Sequence, residues 1–208
     1  MSNRGPIVYI VDDDVSVCRS LSLLLKSHGF KVKGFLNAED FLAFKHFKLP
    51  SCLVLDIQLP GINGLLLQEI IEQRGISMPV IFITGHGNIP MSVKGMKAGA
   101  VDFLPKPFTK LKLLDAITQA IAKNKVQIKE QAAISKIKRR IKTLSPQELE
   151  VFRLVAKGLL SKQIARKRGT VLQTIKVHRG RVMQKMQAKT VTELIRFAQK
   201  GGITSFQG

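Results

Sequence analysis

Three aspartates follow directly on an apolar run near the start of the sequence. Asp12, Asp13 and Asp14 come after IVYIV, and a fourth acid, Asp56, ends a second apolar run, CLVL. Carboxylates that meet at one point repel one another and therefore need a cation, and hard oxygen ligands favour Mg²⁺. With a metal bound, one of these carboxylates could act as a nucleophile towards phosphorus.

A hydroxyl and a lysine could complete such a site. Thr84 ends the run VIFIT, and Lys106 follows the run VDFL and precedes Pro107. Phosphoryl transfer needs positive charge and hydrogen-bond donors on the oxygens of the moving group, and these two side chains can supply both. The chemistry depends on a fold that brings these distant positions together.

The elements predicted for the first part of the chain would do so. Short apolar runs alternate with stretches of helical periodicity, which is typical of an α/β fold with a doubly wound parallel sheet. Ligands bind at the carboxyl ends of the strands of such a sheet, where the acids, Thr84 and Lys106 all fall. The predicted strands are 7–11, 31–35, 52–55, 80–84 and 101–104, and the predicted helices are 15–27, 38–45, 65–73, 91–98 and 110–123.

These residues and the motifs around them resemble the receiver domain of two-component response regulators. The resemblance covers residues 5–123. It implies a five-stranded CheY-like, flavodoxin-like fold, with Asp56 as the phosphoacceptor and a sensor histidine kinase as the partner. The motifs that carry it are IVDDD at 10–14, LDIQLPGING at 55–64, FITGHG at 82–87 and the pair Lys106-Pro107.

The resemblance also implies a metal site. Asp12, Asp13 and Asp56 would bind Mg²⁺, together with the backbone carbonyl of Gln58. Asp14 is predicted to lie outside this set, as a solvated loop residue or a helix N-cap, because it is the last acid before a helical pattern.

A second group of residues would respond to the phosphoryl group. By resemblance, Thr84 and Lys106 would contact it, and Phe103 would be the aromatic residue whose rotamer changes. The bond Lys106-Pro107 is a candidate cis peptide. The helix at 91–98 and the fifth strand would then favour dimerisation of the phosphorylated protein.

Charge sets the rest of the chain apart. Residues 1–124 carry 14 Lys and Arg against 10 Asp and Glu, and residues 125–208 carry 20 against 4. The corresponding net charges, +4 and +16, make up the total of +20. So basic a segment is expected to bind a polyanion, with nucleic acid first and an anionic membrane surface as the weaker alternative.

A basic stretch at 124–143 is predicted to be a helical linker. Its residues Ile134, Ile137 and Ile141 recur at helical spacing, so they would share one face. A free basic coil is the alternative interpretation, and the apolar stripe argues against it.

The remainder is predicted to be a small all-α domain of four helices. Ser145 is expected to cap the first helix and Ser161 the second. A tight turn at Gly169-Thr170 before the third helix indicates a helix-turn-helix. The four helices are expected at 146–157, 161–167, 172–186 and 192–200.

Residues 144–203 resemble the LuxR-type helix-turn-helix, through LSPQELEVFRLVAKG, SKQIA, TIKVHRGRVMQKM and TELIRFA. With the receiver domain, this resemblance points to the NarL/FixJ class, and most closely to FixJ-type regulators. His178 is expected to make a structural hydrogen bond. The resemblance places Lys176 and Val177 against base edges and Lys162, Thr174 and Arg179 on the DNA backbone, and the third helix also exposes Arg181.

The sequence departs from that family pattern at the turn and in the third helix. Arg168 and Thr170 occupy positions that are typically apolar, and Val171 stands at the usual N-cap position. Thr170 is therefore a candidate N-cap, which would shift the start of the helix. Gly180 stands where some relatives have a base-contacting side chain, so sequence specificity is expected to differ.

The predicted organisation is a receiver domain at 1–123, a helical linker at 124–143 and a DNA-binding domain at 144–208. The predicted function is phosphorylation-controlled regulation of transcription, not enzymatic catalysis. The expected partners are promoter DNA, a second copy of the chain and RNA polymerase, but no membrane. A cytoplasmic location is expected, because no signal peptide or membrane-length apolar run occurs and Cys18 and Cys52 lie in apolar settings.

Two alternatives belong to other classes. A Mg²⁺-dependent aspartyl-phosphate phosphohydrolase would also use a strand-end aspartate, but it requires a second acid two residues later, where this chain has Gln58. A phosphorylation-independent protein that compacts DNA or lies on a membrane surface would use the basic charge alone.

Overall fold

The computed structural model describes residues 5–85, 93 and 95–203. The chain divides into two compact units, Met1–Lys129 and Glu130–Gly208. The helix predicted at 91–98 lies partly outside the described residues; position 93 and residues 95–97 are helical. The end of the FITGHG motif also lies outside them.

A parallel sheet of five strands forms the centre of the first unit in its described part. The strand order is β2-β1-β3-β4-β5, so β1 and β3 are neighbours and their carboxyl ends meet at one edge. The predicted five-stranded α/β fold is confirmed. The strands are β1 (Ile7–Val11), β2 (Lys31–Phe35), β3 (Ser51–Asp56), β4 (Val80–Thr84) and β5 (Asp102–Pro105).

Helices cover both faces of this sheet. Alternate residues of β1 point to opposite sides, so Tyr9 packs in one apolar cluster and Ile10 in the other. Because both clusters are buried, the central strands are apolar throughout. One face is covered by α2 (Ala38–Ala43) and α3 (Gly64–Gln73), and the other by α1 (Val15–Ser27) and the first half of α4 (Lys110–Ile141).

The second helix ends two residues earlier than its periodicity predicts. Phe44 is extended, and its ring lies 6.1 Å from that of Tyr9 and 5.1 Å from that of Phe47. The Tyr9 hydroxyl also accepts a hydrogen bond of 2.8 Å from the Lys48 backbone nitrogen. Aromatic packing around a buried tyrosine therefore outweighs the helical preference of the segment.

The helix that begins at Lys110 continues without a break to Ile141, although a separate linker was expected from residue 124. Asn124 is fully buried in the first unit, where its Oδ1 accepts from the Ser51 nitrogen at 2.9 Å and its Nδ2 donates to the Ser77 carbonyl at 2.8 Å. Ile137 is buried in the core of the second unit. Despite the length of α4, no helix of the described residues is apolar enough to cross a bilayer.

Both cysteines, Cys18 and Cys52, are free and buried, as expected. Burial raises the pKa of the Cys52 thiol to about 12, so this thiol is protonated near neutral pH.

Four short helices follow in the described part of the second unit, close to their predicted bounds. They bury one apolar core that includes Phe152, Ile164 and Val182. Their bounds are α5 (Pro146–Ala156), α6 (Ser161–Lys167), α7 (Leu172–Met186) and α8 (Val191–Gly201).

The predicted capping box opens α5. The Ser145 backbone nitrogen donates to Glu148 Oε2 at 2.7 Å, and the Glu148 nitrogen donates to the Ser145 hydroxyl at 3.2 Å. Glu148 is only 3% exposed, and Lys185 of α7 donates to the same carboxylate oxygen at 2.6 Å. The hydrogen bonds from Lys185 and Ser145 hold the pKa of Glu148 below its usual value.

Replacement of Glu148 by Gln is expected to destabilise the second unit by about 1–2 kcal/mol near pH 7, because it removes a charge-assisted bond to Lys185. A lowered pKa in the folded state means that the carboxylate stabilises above the pKa of unfolded Glu, about 4.3, and that this contribution disappears as the pH falls through the lowered value. Hydrogen exchange of peptides from α5 and α7 measures the effect. A penalty that is as large at pH 3.5 as at pH 7 would contradict the ionic role.

Candidate functional site

The carboxyl ends of β1 and β3 bring three predicted site residues together. One carboxylate oxygen each from Asp12, Asp13 and Asp56 lies within 4.8 Å of the others. Asp12 is fully buried and Asp56 is 6% exposed, whereas Asp13 faces solvent. A compact set of carboxylate oxygens with one open side suits a hard cation that retains some of its waters, and Mg²⁺ is such a cation.

Lys106 reaches this cluster from the end of β5. Its ammonium group donates to Asp12 Oδ2 at 2.7 Å and lies 3.4 Å from Asp56 Oδ2. Burial alone would lower the pKa of Lys106, but the hydrogen bond and the charge of Asp12, followed by those of Asp56, raise it. The lysine is therefore a fixed positive charge between two carboxylates.

The two buried carboxylates are held differently. Burial raises the pKa of Asp12, and hydrogen bonds from Lys106 and from the Asp14 backbone nitrogen offset part of that rise. Asp56 has longer contacts, to Lys106 and to the Gln58 backbone nitrogen, both of 3.4 Å. The carboxylate oxygens of Asp56 therefore form weaker hydrogen bonds than the Asp12 oxygen that accepts from Lys106.

Thr84 and Phe103 lie on neighbouring strands beside the cluster. Thr84 is fully buried at the end of β4, and its carbonyl accepts from the Lys106 nitrogen at 2.7 Å. Phe103 is half-buried, with its ring 6.3 Å from that of Phe82. The Lys106-Pro107 peptide is cis, as the sequence predicted, and Leu49-Pro50 is a second cis peptide that it did not.

Two neighbours of the cluster have local structural roles. Asp14 is the N-cap of α1 and accepts from the backbone nitrogens of Ser16 and Val17, which confirms the N-cap alternative. Gln58 is exposed, so its amide side chain faces solvent while its backbone nitrogen contacts Asp56.

Gly64 is a site residue that the sequence reasoning missed. It begins α3, and its nitrogen donates to the Ile57 carbonyl at 3.0 Å. A Cβ atom here would collide with the Asp56 carbonyl oxygen and lie 2.9 Å from the Ile57 Cα atom. Only glycine lets α3 start this close to the end of β3. The sequence feature that could have indicated this close approach is the glycine-rich segment PGING at 60–64.

The third helix of the second unit, α7, presents a basic and polar surface. Its buried side consists of Ile175, Val182 and Met186. Exposed predicted DNA contacts are Thr174, Lys176, Val177 and Arg181 on α7 and Lys162 on α6.

Arg179 is the exception among the predicted contacts. It is half-buried, and its guanidinium donates to the Ser161 hydroxyl of α6 at 3.0 Å. It therefore fixes α6 against α7. Ser161 is the first residue of α6 and does not cap it, because the N-cap is Leu160, whose nitrogen donates to Gln163 Oε1 at 2.8 Å.

The unusual turn before α7 has a structural explanation. Arg168, at a position expected to be apolar, forms an ion pair of 2.9 Å with Glu150 of α5. The predicted capping role of Thr170 is wrong: Val171 is the N-cap, without a side-chain hydrogen bond, and α7 begins at Leu172 as first expected. Gly169 makes the turn with φ of +59°.

Two further findings concern a histidine inside α7 and the C-terminal end of this helix. His178 was expected to make a hydrogen bond, but its buried Nδ1 has no partner among the described residues. Arg140 of α4 donates to the Met186 carbonyl at 3.0 Å and also to the side chain of Gln187, the left-handed C-cap of α7. This anchor was not apparent from sequence, because it joins positions 46 residues apart.

Comparison with known proteins gives a consistent result over both units. Residues 8–118 match the response regulator receiver domain, and residues 142–198 match the luxR family of bacterial regulatory proteins. Nodulation protein W of Bradyrhizobium diazoefficiens is 44% identical over 96% of this chain and 88% of its own length. Transcriptional regulatory protein FixJ of the same organism is 38% identical over 98% of both chains. The solved structure of the response regulator StyR is 40% identical, with a TM-score of 0.79 over 94% of this chain and 99% of its own.

Replacement of Asp13 by Asn is expected to weaken Mg²⁺ binding by about tenfold, because it removes one of three clustered charges from a site tuned by ligand charge. Titration calorimetry with Mg²⁺ measures it. Asp14→Asn is the matched control, since asparagine can still cap α1 and Asp14 lies outside the cluster. Equal losses in the two variants would rule out a specific role for Asp13.

Replacement of Gly64 by Ala is expected to lower the stability of the first unit by about 1–3 kcal/mol, because the added methyl overpacks against the backbone at Asp56. Urea unfolding followed by Tyr9 fluorescence reports on that unit. A variant as stable as the wild type would show that α3 can move away without cost.

Proposed function

Because the chain belongs to the response regulators that join a receiver domain to a LuxR-type DNA-binding domain, we propose that phosphorylation of Asp56 controls DNA binding by α7. The chain is a two-component, DNA-binding transcriptional regulator. The proposed domains are 1–123 for the receiver, 124–143 for the linker and 144–208 for DNA binding. The observation that carries the proposal is the contact of Lys106 with both Asp12 and Asp56.

The proposed phosphodonor is the phosphohistidine of a sensor histidine kinase. An Asp56 carboxylate oxygen attacks phosphorus, the P–N bond breaks, and the histidine leaves with its bonding electrons and takes up a proton. Asp56 suits this role because its contacts are longer than those of Asp12. Lys106 is positioned to place positive charge on the phosphoryl oxygens.

Mg²⁺ is the proposed cofactor. Asp12, Asp13, Asp56 and the backbone carbonyl of Gln58 would hold it, and the proximity of the three carboxylates fits such an ion. When bound, Mg²⁺ supplies positive charge that offsets the negative charge of the carboxylates and of the incoming phosphoryl group.

The proposed output of the receiver is dimerisation at its β5 edge. A phosphoryl group adds negative charge and acceptor oxygens at Asp56, towards which the Thr84 hydroxyl would turn. Phe103 lies two positions before the exposed Pro105 on the edge strand, so a change of its rotamer would alter that surface. Large apolar side chains are exposed in the helical segments before and after β5 in the chain, at Val93, Met96 and Leu111.

The proposed DNA interface is the exposed side of α7 in the major groove. Lys176 and Val177 would lie against base edges. Phosphate and sugar contacts would come from Lys162, Thr174 and Arg181, and from Arg179 if it leaves Ser161. The proposed target is promoter DNA, and RNA polymerase is a proposed further partner. The proposed location is the cytoplasm. The catalysis proposed for the chain is limited to the uptake and loss of the phosphoryl group on Asp56.

The decisive experiment is a DNA selection with the wild-type chain and with the Asp56→Asn variant, each with and without a phosphodonor. The wild type is expected to enrich one sequence, more strongly with phosphodonor, because phosphorylation favours the dimer. The Asp56→Asn variant is expected to show no response to phosphodonor. Asp40→Asn, an exposed substitution outside the cluster, should behave as the wild type. Enrichment that ignores phosphodonor would favour a phosphorylation-independent DNA-binding protein, and no enrichment would overturn the proposal.

A further inference from the structure

Gly180 lies in the interior of α7, on its solvent-exposed side. Glycine is unfavourable inside a helix because it loses more backbone freedom on folding than alanine does. The common compensation is close approach of another group to the backbone, which a Cβ atom would prevent.

The other helical glycines of the described residues have such a reason within the chain. A Cβ atom at Gly64 would collide with the Asp56 carbonyl, one at Gly95 would lie 2.9 Å from the Phe82 ring, and one at Gly201 would collide with Ile141. At Gly180 a Cβ atom would meet nothing within 4 Å. The free protein therefore contains, among its described residues, no group that requires glycine at this position.

The surroundings of Gly180 identify what could approach it. Gln173, Val177 and Gln184 are exposed and share its helix face, because they are spaced by three or four residues. Gly180 is a recess in the middle of this face, with the basic residue Arg181 at its side. When such a helix lies in the major groove, the middle of its exposed face points to the base edges, whereas its flanks meet phosphates.

We infer that Gly180 determines sequence specificity by admitting a thymine methyl group into this recess, against the exposed side chain of Val177. The inference rests on the proposed binding of DNA by α7. Val177 is 44% exposed and one helical turn from Gly180, so an apolar group between them would be covered on two sides. Of the base substituents in the major groove, only the thymine methyl is apolar.

Substitution of Gly180 is expected to act in opposite directions on stability and on binding. Alanine should raise the thermal midpoint of the second unit by about 4 °C, since it favours the helix and clashes with nothing. It should weaken binding to the selected site by about tenfold, and leucine should weaken it further, because the larger side chain fills the recess. Non-specific binding, measured on random DNA, should stay within about twofold because phosphate contacts dominate it.

The matched control is Ser135→Ala on α4. Ser135 is exposed in a helix interior, so this substitution should raise stability without altering DNA binding. Replacing each thymine of the selected site by deoxyuridine locates the methyl group. At one position the wild type should lose about fourfold in affinity, the value of one buried methyl, and the leucine variant should lose nothing.

Three results would overturn the inference. The first is an alanine variant that binds the selected site as tightly as the wild type. The second is an equal loss of affinity for the alanine and leucine variants, which would indicate that binding needs a flexible helix. The third is that no thymine methyl group in the site contributes to affinity in the wild type but not in the leucine variant. Each presupposes that the wild type binds its selected site. If the wild type enriches no sequence, the proposed function itself has failed.

Discussion

The contact of the Lys106 ammonium group with the Asp12 and Asp56 carboxylates is the interaction on which the rest of the structure depends. The parallel sheet brings strand ends from three distant segments together, and two of them carry negative charge in a buried setting. Without a cation, burying these two charges side by side would be costly and would favour separation of the strand ends. Lys106, which directly follows β5, removes this conflict. In the proposed function the same ammonium group would also contact the phosphoryl oxygens.

In the second unit, contacts from three other helices fix the position of α7. Lys185 ties the end of α7 to the start of α5 through Glu148, and Arg140 of α4 binds the Met186 carbonyl. Arg179 fixes the middle of α7 to Ser161. These contacts lie on the buried side of α7 and at its neighbouring helices. The opposite side of α7 faces solvent and carries the exposed basic residues.

The elements that sequence predicts well are those whose information is local. The strands of the sheet and α7 follow from apolar periodicity, and Ser145 with Glu148 follows from capping chemistry. The failures involve distant partners. The early end of α2 depends on Tyr9, the ion pair of Arg168 depends on Glu150, and the continuity of α4 is accompanied by burial of Asn124 against Ser51. The same holds at the candidate site, where residue types indicated the cluster but not the clash that requires Gly64.

The central claim is that this cluster makes Asp56 a phosphoacceptor. It can be tested by incubating the full-length protein with Mg²⁺ and a small-molecule phosphodonor, reducing the acyl phosphate with borohydride and locating the reduced residue by peptide mass spectrometry. The account predicts modification at Asp56 alone. Modification at Asp12 or Asp13, or at no aspartate, would contradict it.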